Sequence, residues 1–420
     1  MPHSQRWCRM ALPPPNEPEI VKAARFGNAE TVKTLLSSGV PVDATAPTAP
    51  KETALKAALD AAEVEFAKLF GDPVRLVQGV PGPPGGQQKK PPSNFLSNFF
   101  KVVQLLLDAN ADVEPLTAFL KRIMDETMRS YARDEILEEL LMANAVPALQ
   151  KALEVQAGKP AGPAPTSRAV AILCEAFWNI SKGSNARKDA CSRAVPAIVL
   201  ALKRHVGSPD VATCASLALR DMAEGSVWRQ CYLHRAEALP ALTAALEAHK
   251  AAPRVAECAG GAIGALASVD PDIKTACVAA LPALVGALRA SCASRDACIA
   301  LCAACRNVAN YKLRPGPPPT FEDPSLVGVL AAAGVPGALE AAATAHPDLR
   351  SFFFPPPPAA AGGAQAKAAA APGNAAAGGG AGAAPAAAAP TAANPFPWLG
   401  MPSVNPVPGL GLHMLFPRRT

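Results

Sequence analysis

The sequence predicts an all-α fold built as an α-solenoid. A proline-centred phrase recurs along the second half: AVPAL at 145–149, AVPAI at 194–198, ALPAL at 238–242, ALPAL at 280–284 and a weaker GVPGAL at 334–339. Its prolines, Pro147, Pro196, Pro240, Pro282 and Pro336, stand 42 to 54 residues apart. A period near that length marks stacked units of two or three helices. Composition agrees: 50% of residues are hydrophobic but only 5% aromatic. Alanine supplies much of that share, and small side chains suit close helix packing better than a β-sandwich. A stack of this kind offers a long surface, so binding is the first expectation.

Residues 1–18 are expected to be disordered. In EIVKAARFGNAETVKTLLSSGVPVDA (19–44), Ile20, Ala23 and Ala24, then Val32, Leu35 and Leu36, make two short apolar helical faces. Gly27-Asn28 punctuates them and Ser38-Gly39 ends the second. This segment resembles an ankyrin repeat. A second unit opens at ETALKAALDA (52–61), with Ala54 and Lys56 where that family places Pro and His, and its outer helix follows at FKVVQLLLDANADVE (100–114). The Gly/Pro-rich stretch 71–93 reads as an inserted loop, because it buries too little apolar surface to offset its ordering entropy. A degenerate third unit is placed from Leu116 through EILEELLMANA (135–145). The ankyrin-like section is thus 19–145.

Residues 146–345 resemble armadillo repeats. The second helices are VPALQKAL, VPAIVLAL, LPALTAAL and LPALVGAL, and proline is tolerated in a first helical turn. Third-helix endings lie at 174–183, 216–225, 261–268 and 301–310, and first helices at 185–194, 226–236 and 271–280. Insertions at 158–166 and 314–320 account for the long gaps. Segment 141–149 closes one pattern and opens the other, so one continuous stack is expected. Residues 346–420 are expected to form a disordered Ala/Gly/Pro-rich tail. Aromatic residues return in its NPFPWLGM (394–401), where Phe396 and Trp398 are a candidate partner motif.

Residues 146–310 carry 18 Lys and Arg against 12 Asp and Glu, which accounts for the net charge of +6. No basic run accompanies the excess, which argues against nucleic acid. The 11 cysteines fall mostly in helical patterns, and the opening residues lack the apolar core of a secretory signal. Reduced thiols in the cytoplasm or nucleus are the expectation. No apolar run long enough to span a membrane is found. Cys8, among Arg6, Trp7 and Arg9, is the alternative route to a membrane by acylation.

By the armadillo resemblance, the ladder lining the groove is Glu175/Asn179, Leu217/Asp221, Gly261/Ala265 and Ala303/Asn307. Importin-like members place Trp four residues before the ladder Asn, and here those positions are Glu175, Leu217, Gly261 and Ala303. The resemblance therefore implies the fold without nuclear-signal reading. Small apolar anchors are expected to dock, with Asn179 and Asp221 as polar contacts and Glu175, Trp178 and Asn307 as further candidates. Asn307 and Asn179 are alternatively bonded to neighbouring backbone.

Trp178 and Trp228 are expected to fill gaps between repeats. The cysteines, Cys298, Cys302 and Cys305 included, read as small core hydrophobes, since no second ligand pair completes a metal site. His205 and His249 read as solvated caps near helix C-termini. Gly260, Gly261 and Gly264 read as close helix packing, because no strand precedes them to make a phosphate loop. No catalytic motif set is present, and no cofactor is expected. The functional expectation is a protein-interaction scaffold, with an adaptor for a ubiquitin-ligation complex or an acyl-anchored tether as the alternative.

Overall fold

The computed structural model describes residues 17–45, 53–70, 94–127, 133–159, 164–268, 270–309 and 324–350. Cys8, the inserted stretch 71–93, Phe396 and Trp398 lie outside the described residues. Among the described residues there are helices and no strands.

The first five helices are α1 (Glu19–Arg25), α2 (Ala29–Ser37), α3 (Ala54–Phe70), α4 (Asn94–Asp108) and α5 (Glu114–Thr127). From residue 133 the chain proceeds in triplets: α6 (Arg133–Met142), α7 (Ala145–Gly158), α8 (Ala164–Ser181); then α9 (Asn185–Ser192), α10 (Val195–Arg204), α11 (Pro209–Ala223). The next are α12 (Val227–Arg235), α13 (Ala238–Ala248), α14 (Pro253–Leu266); then α15 (Pro271–Cys277), α16 (Leu281–Ala290), α17 (Arg295–Ala309). Helices α18 (Pro324–Ala332) and α19 (Val335–Ala345) close the described chain with a 3-10 turn, Pro347–Leu349.

Three rows result. Third helices pack successively in the order α1, α3, α5, α8, α11, α14, α17. Second helices pack as α2, α4, α7, α10, α13, α16, α19. Short first helices form the row α6, α9, α12, α15. One hydrophobic core runs from Ile20 to Leu349 through all of them. This is an armadillo-like helical repeat fold, and the sequence-level expectation of an α-solenoid holds. The segment 135–142, placed by pattern in a third N-terminal unit, lies in the first-helix row and belongs with the triplets.

Local chemistry sets these boundaries. Pro196, Pro282 and Pro336 occupy the first turns of α10, α16 and α19, where an N–H has no intrahelical partner. Asp270 caps α15 by accepting from the backbone N–H groups of Asp272 and Ile273 at 2.9 and 3.0 Å. Gly183 and Gly225 hold φ of 82° and 75°, the left-handed conformation that turns each third helix into the next first helix.

Several expectations are corrected. The tail expected from 346 does not begin there, since 346–350 belongs to the stack: Leu349 is buried and Asp348 Oδ2 accepts from Arg295 Nε at 3.2 Å. The disordered start expected through residue 18 does not extend that far, since Glu17 Oε1 accepts from Arg25 Nη2 at 2.6 Å. Pro271–Ala290 is long and apolar enough, by length and composition, to cross a membrane. In the stack it is α15, a 3-10 turn and α16, with Ile273, Cys277, Leu281, Leu284 and Leu288 in the core.

The histidines are not solvated caps. His205 is 3% exposed, and its Nδ1 lies 3.2 Å from Ser167 Oγ. Burial, then the neighbouring Arg204, holds its pKa below the ordinary value. His249 Nε2 donates to Val206 O at 2.7 Å, Ser291 Oγ to Lys250 O at 2.9 Å and His346 Nε2 to Cys292 O at 2.9 Å. Each donor follows a second helix, and each acceptor is the residue just past the corresponding donor one repeat earlier. A polar residue nine positions after Pro240 and Pro282 and ten after Pro336 thus ties adjacent repeats.

Buried arginines do the same for the first helices. Arg187 Nη1 donates to Glu138 Oε1 at 2.9 Å and Nη2 to Asp134 Oδ1 at 3.0 Å, while Lys182 O accepts on its other side. Arg229 Nε donates to Met222 O at 2.8 Å, and Nη2 to Glu224 O at 2.6 Å and Asn185 Oδ1 at 3.2 Å; Asp189 accepts from Nη1. Each guanidinium satisfies carbonyls at the end of a third helix and clips two successive first helices together. At the matching place in α15 stands Ile273, which is buried apolar surface.

Candidate functional site

The third-helix row carries the residues that the sequence singled out. Residues i, i+3, i+4 and i+7 share a helix face, so Glu175/Asn179, Leu217/Asp221, Gly261/Ala265 and Ala303/Asn307 sit in register on α8, α11, α14 and α17, which pack side by side. Glu175, Gly261, Ala265 and Ala303 are half-buried; Leu217, Asn179, Asp221 and Asn307 are buried.

The floor in the middle is small, and Gly260 and Gly264 explain why it is also tightly built. A Cβ at Gly264 would come within 3.1 Å of Ala304 Cα, and one at Gly260 within 2.6 Å of Leu301 Cδ2. The glycine cluster is close packing of α14 against α17, as expected from sequence.

Asn307 Nδ2 donates to Gly264 O at 3.0 Å, so this ladder residue is partly used by the stack itself. Its Oδ1, together with Asn179 Oδ1, Trp178 Nε1, Ser216 Oγ and Arg220 Nε, is enclosed without a hydrogen-bond partner. All five atoms belong to third helices; Glu17 Oε2, His205 Nε2 just past α10 and Gln230 Oε1 on α12 are in the same condition outside that row. Buried polar groups in folded proteins are nearly always paired, so a concentration of unspent groups on one row is informative.

Glu175 has its carboxyl pushed up by burial, opposed by Lys121 and reinforced by Asp125 on α5. Asp221 is pushed up to about 6, chiefly by burial; Arg220, at 3.6 Å, only partly offsets it. The sign follows directly. Between the ordinary value of 3.8 and about 6 the folded chain holds the proton more tightly than the unfolded chain. Stability is therefore greatest below that window and falls as pH rises through it. At a cost of 1.36 kcal/mol per pH unit, Asp221→Asn is expected to stabilise the protein by about 1–3 kcal/mol at neutral pH. It should flatten the difference between urea midpoints measured at pH 4.5 and 7.5. Parallel pH curves for the two proteins would contradict this assignment.

Trp178 is half-buried against the core, with Lys182 Nζ 4.0 Å from its ring centroid. Trp228 fills no gap: it is 51% exposed on α12. Cys174, Cys191, Cys258, Cys277, Cys298, Cys302 and Cys305 are buried, and burial pushes the thiols of Cys191, Cys258, Cys277 and Cys305 up to about 12. Cys214, half-buried on the same face, is also pushed up to about 12. Such thiols pack as small hydrophobes and are poor nucleophiles. Among the described residues no three His, Cys, Asp or Glu side chains gather closely enough to hold a metal ion.

Sequence reasoning missed Arg187, Arg229 and Arg220. The first two stand four residues before a buried Cys191 or Leu233 in short helices, a spacing that identifies them once the helices are aligned. Arg220 directly precedes the ladder residue Asp221.

No protein-family model matches the chain, and no curated protein matches it. Among solved structures the chain is similar to a designed armadillo repeat protein at 21% identity, over 58% of this chain and 93% of that one, with a TM-score of 0.45. A second designed armadillo repeat protein, solved in complex with a (KR)4 peptide, is similar at 22% identity, over 57% and 94%, with a TM-score of 0.44. An engineered protein is similar at 18% identity, over 67% and 95%, with a TM-score of 0.40.

Proposed function

We propose that this chain is a protein-interaction scaffold, and that its partner lies as an extended or helical segment along the third-helix face. One observation carries the reading: among the described residues, five enclosed polar atoms without a hydrogen-bond partner lie on α8, α11 and α17, against Glu17 Oε2, His205 Nε2 and Gln230 Oε1 elsewhere, while Arg187, Arg229, His249 and Ser291 on the other two rows make repeat-to-repeat bonds. Asn179, with an unpaired Oδ1 and 2% exposure, and Asp221 are the leading polar contacts; Glu175, Trp178 and Asn307 flank them. The helix pairs α1/α2 and α3/α4 extend this face as ankyrin-like units. Their support is the matching sequence pattern and the Asn28 cap, whose Oδ1 accepts from Thr31 N at 3.1 Å.

The test is photo-crosslinking from the full-length chain in cell extract. A photoreactive residue at Glu175 or Ala303 is expected to capture the same partner, while one at Leu200 or Val227, exposed on other rows, captures none of it. Capture from Leu200 or Val227 alone would place the binding face elsewhere. A basic nuclear-signal peptide, lacking any aromatic slot at positions 175, 217, 261 and 303, is expected to show no binding that depends on Asn179.

A further inference from the structure

We infer that Arg220 anchors an acidic side chain of the bound segment, so that the third-helix face takes an extended peptide with one Asp or Glu carboxylate set against this guanidinium. The inference rests on the assignment of the third-helix face as the binding face.

A comparison among the arginines motivates it. Arg187 and Arg229 are saturated by the stack. Arg204 donates to Ala157 O and Gly158 O, Arg254 to both carboxylate oxygens of Glu257, and Arg289 to Gly334 O. Arg220 has five N–H donors, is only 15% exposed, and makes no side-chain hydrogen bond. Its one ionic neighbour is Asp221 Oδ1 at 3.6 Å, beyond hydrogen-bond reach.

The position of the side chain is set by Gly261 on the next third helix. Arg220 Cδ lies 3.2 Å and Nη1 3.7 Å from where a Cβ at Gly261 would stand. The guanidinium is thus laid across α14, where a Cβ at 261 would make a tight contact with it, near Cys258, whose thiol feels its charge. Half-buried Gly261 and Ala265 keep the surface of α14 low on this face. A planar guanidinium with its donors unspent fits a carboxylate with two parallel N–H···O bonds. Asp221 does not supply that carboxylate, since its Oδ1 stands at 3.6 Å, beyond hydrogen-bond reach. The surroundings also favour an anion. Lys182 and Lys188 both act on Asp221 against Glu224, which Lys188 Nζ meets at 3.1 Å, and residues 146–310 carry the chain's basic excess.

A randomised peptide library selected on the full-length chain tests this. Selected peptides are expected to share an Asp or Glu at one fixed position. Changing that residue to its amide, or making Arg220→Gln in the protein, should each weaken binding about tenfold or more, with little further loss when combined. Arg220→Lys should recover part of the affinity, and Gly261→Val, which displaces the guanidinium without removing it, should weaken the same peptides. Arg220→Gln should lower the melting midpoint only modestly, since no side-chain hydrogen bond is lost but the charge beside Asp221 is. Peptides that depend on Asn179 but are indifferent to Arg220 would overturn the inference and leave the face assignment standing. A library that yields no binder sensitive to either residue would overturn both.

Discussion

Arg229→Ala is expected to be the most damaging single substitution on the first-helix row, at about 3–5 kcal/mol. The side chain is 2% exposed, and it satisfies the carbonyls of Met222 and Glu224 where α11 ends. Removing it leaves those carbonyls and Asn185 and Asp189 without their donor and opens a cavity between α9 and α12. Urea unfolding gives the value. The comparison is Arg220→Ala, which removes a guanidinium of the same size that makes no side-chain hydrogen bond; it loses only packing and the charge beside Asp221 and should cost about 1–2 kcal/mol. Equal losses at the two sites would show that the bonding pattern does not set stability.

Gly264→Val is expected to cost a further large amount, about 3 kcal/mol or more, through overpacking. Its Cβ would stand 3.1 Å from Ala304 Cα and 3.5 Å from Ala304 N, and that backbone lies inside α17. The neighbour cannot rotate away, so α14 and α17 must separate along their whole contact. The opposite sign is expected at Gly286 in α16, where an added Cβ meets nothing within 4 Å. There Gly→Ala should stabilise by about 0.5–1 kcal/mol, because alanine loses less backbone entropy in a helix. Thermal midpoints of the two variants moving the same way would contradict the packing read at these glycines.

The repeat was legible in the sequence because one element is chemically constrained in every unit. The second helix needs an apolar face against two neighbours and tolerates proline in its first turn, so LPAL and its relatives recur. Gly260 and Gly264 were legible for a similar reason: close helix approach admits few residue types. The first helices were not legible in their chemistry. NARKDACS, VWRQCYLH and PDIKTACV share only a buried position near their ends, and the staple role passes from Arg187 and Arg229 to Ile273 because either a saturated guanidinium or an apolar side chain fills the place.

The histidine contacts are not legible in a single helix. A residue just past a helix faces solvent in an isolated helix, but in a stack it meets the preceding repeat, and His249 and His346 bond across that junction. The ladder positions followed from alignment alone. That Asn307 is half spent on Gly264 O while Asn179 Oδ1 is unpaired depends on tertiary packing that no periodicity encodes.

The central claim is that one unbroken core from Ile20 to Leu349 presents a single third-helix face. Native-state hydrogen exchange on the full-length chain tests it most directly, comparing α5 with α8 on either side of the junction near residue 145. Their slowest amides are expected to share a common opening free energy, and Arg187→Ala, which unclips α9 from α6, should lower both together. If helices before residue 128 open at their own free energy and ignore that substitution, the chain is two independent stacks and the single-face account is wrong.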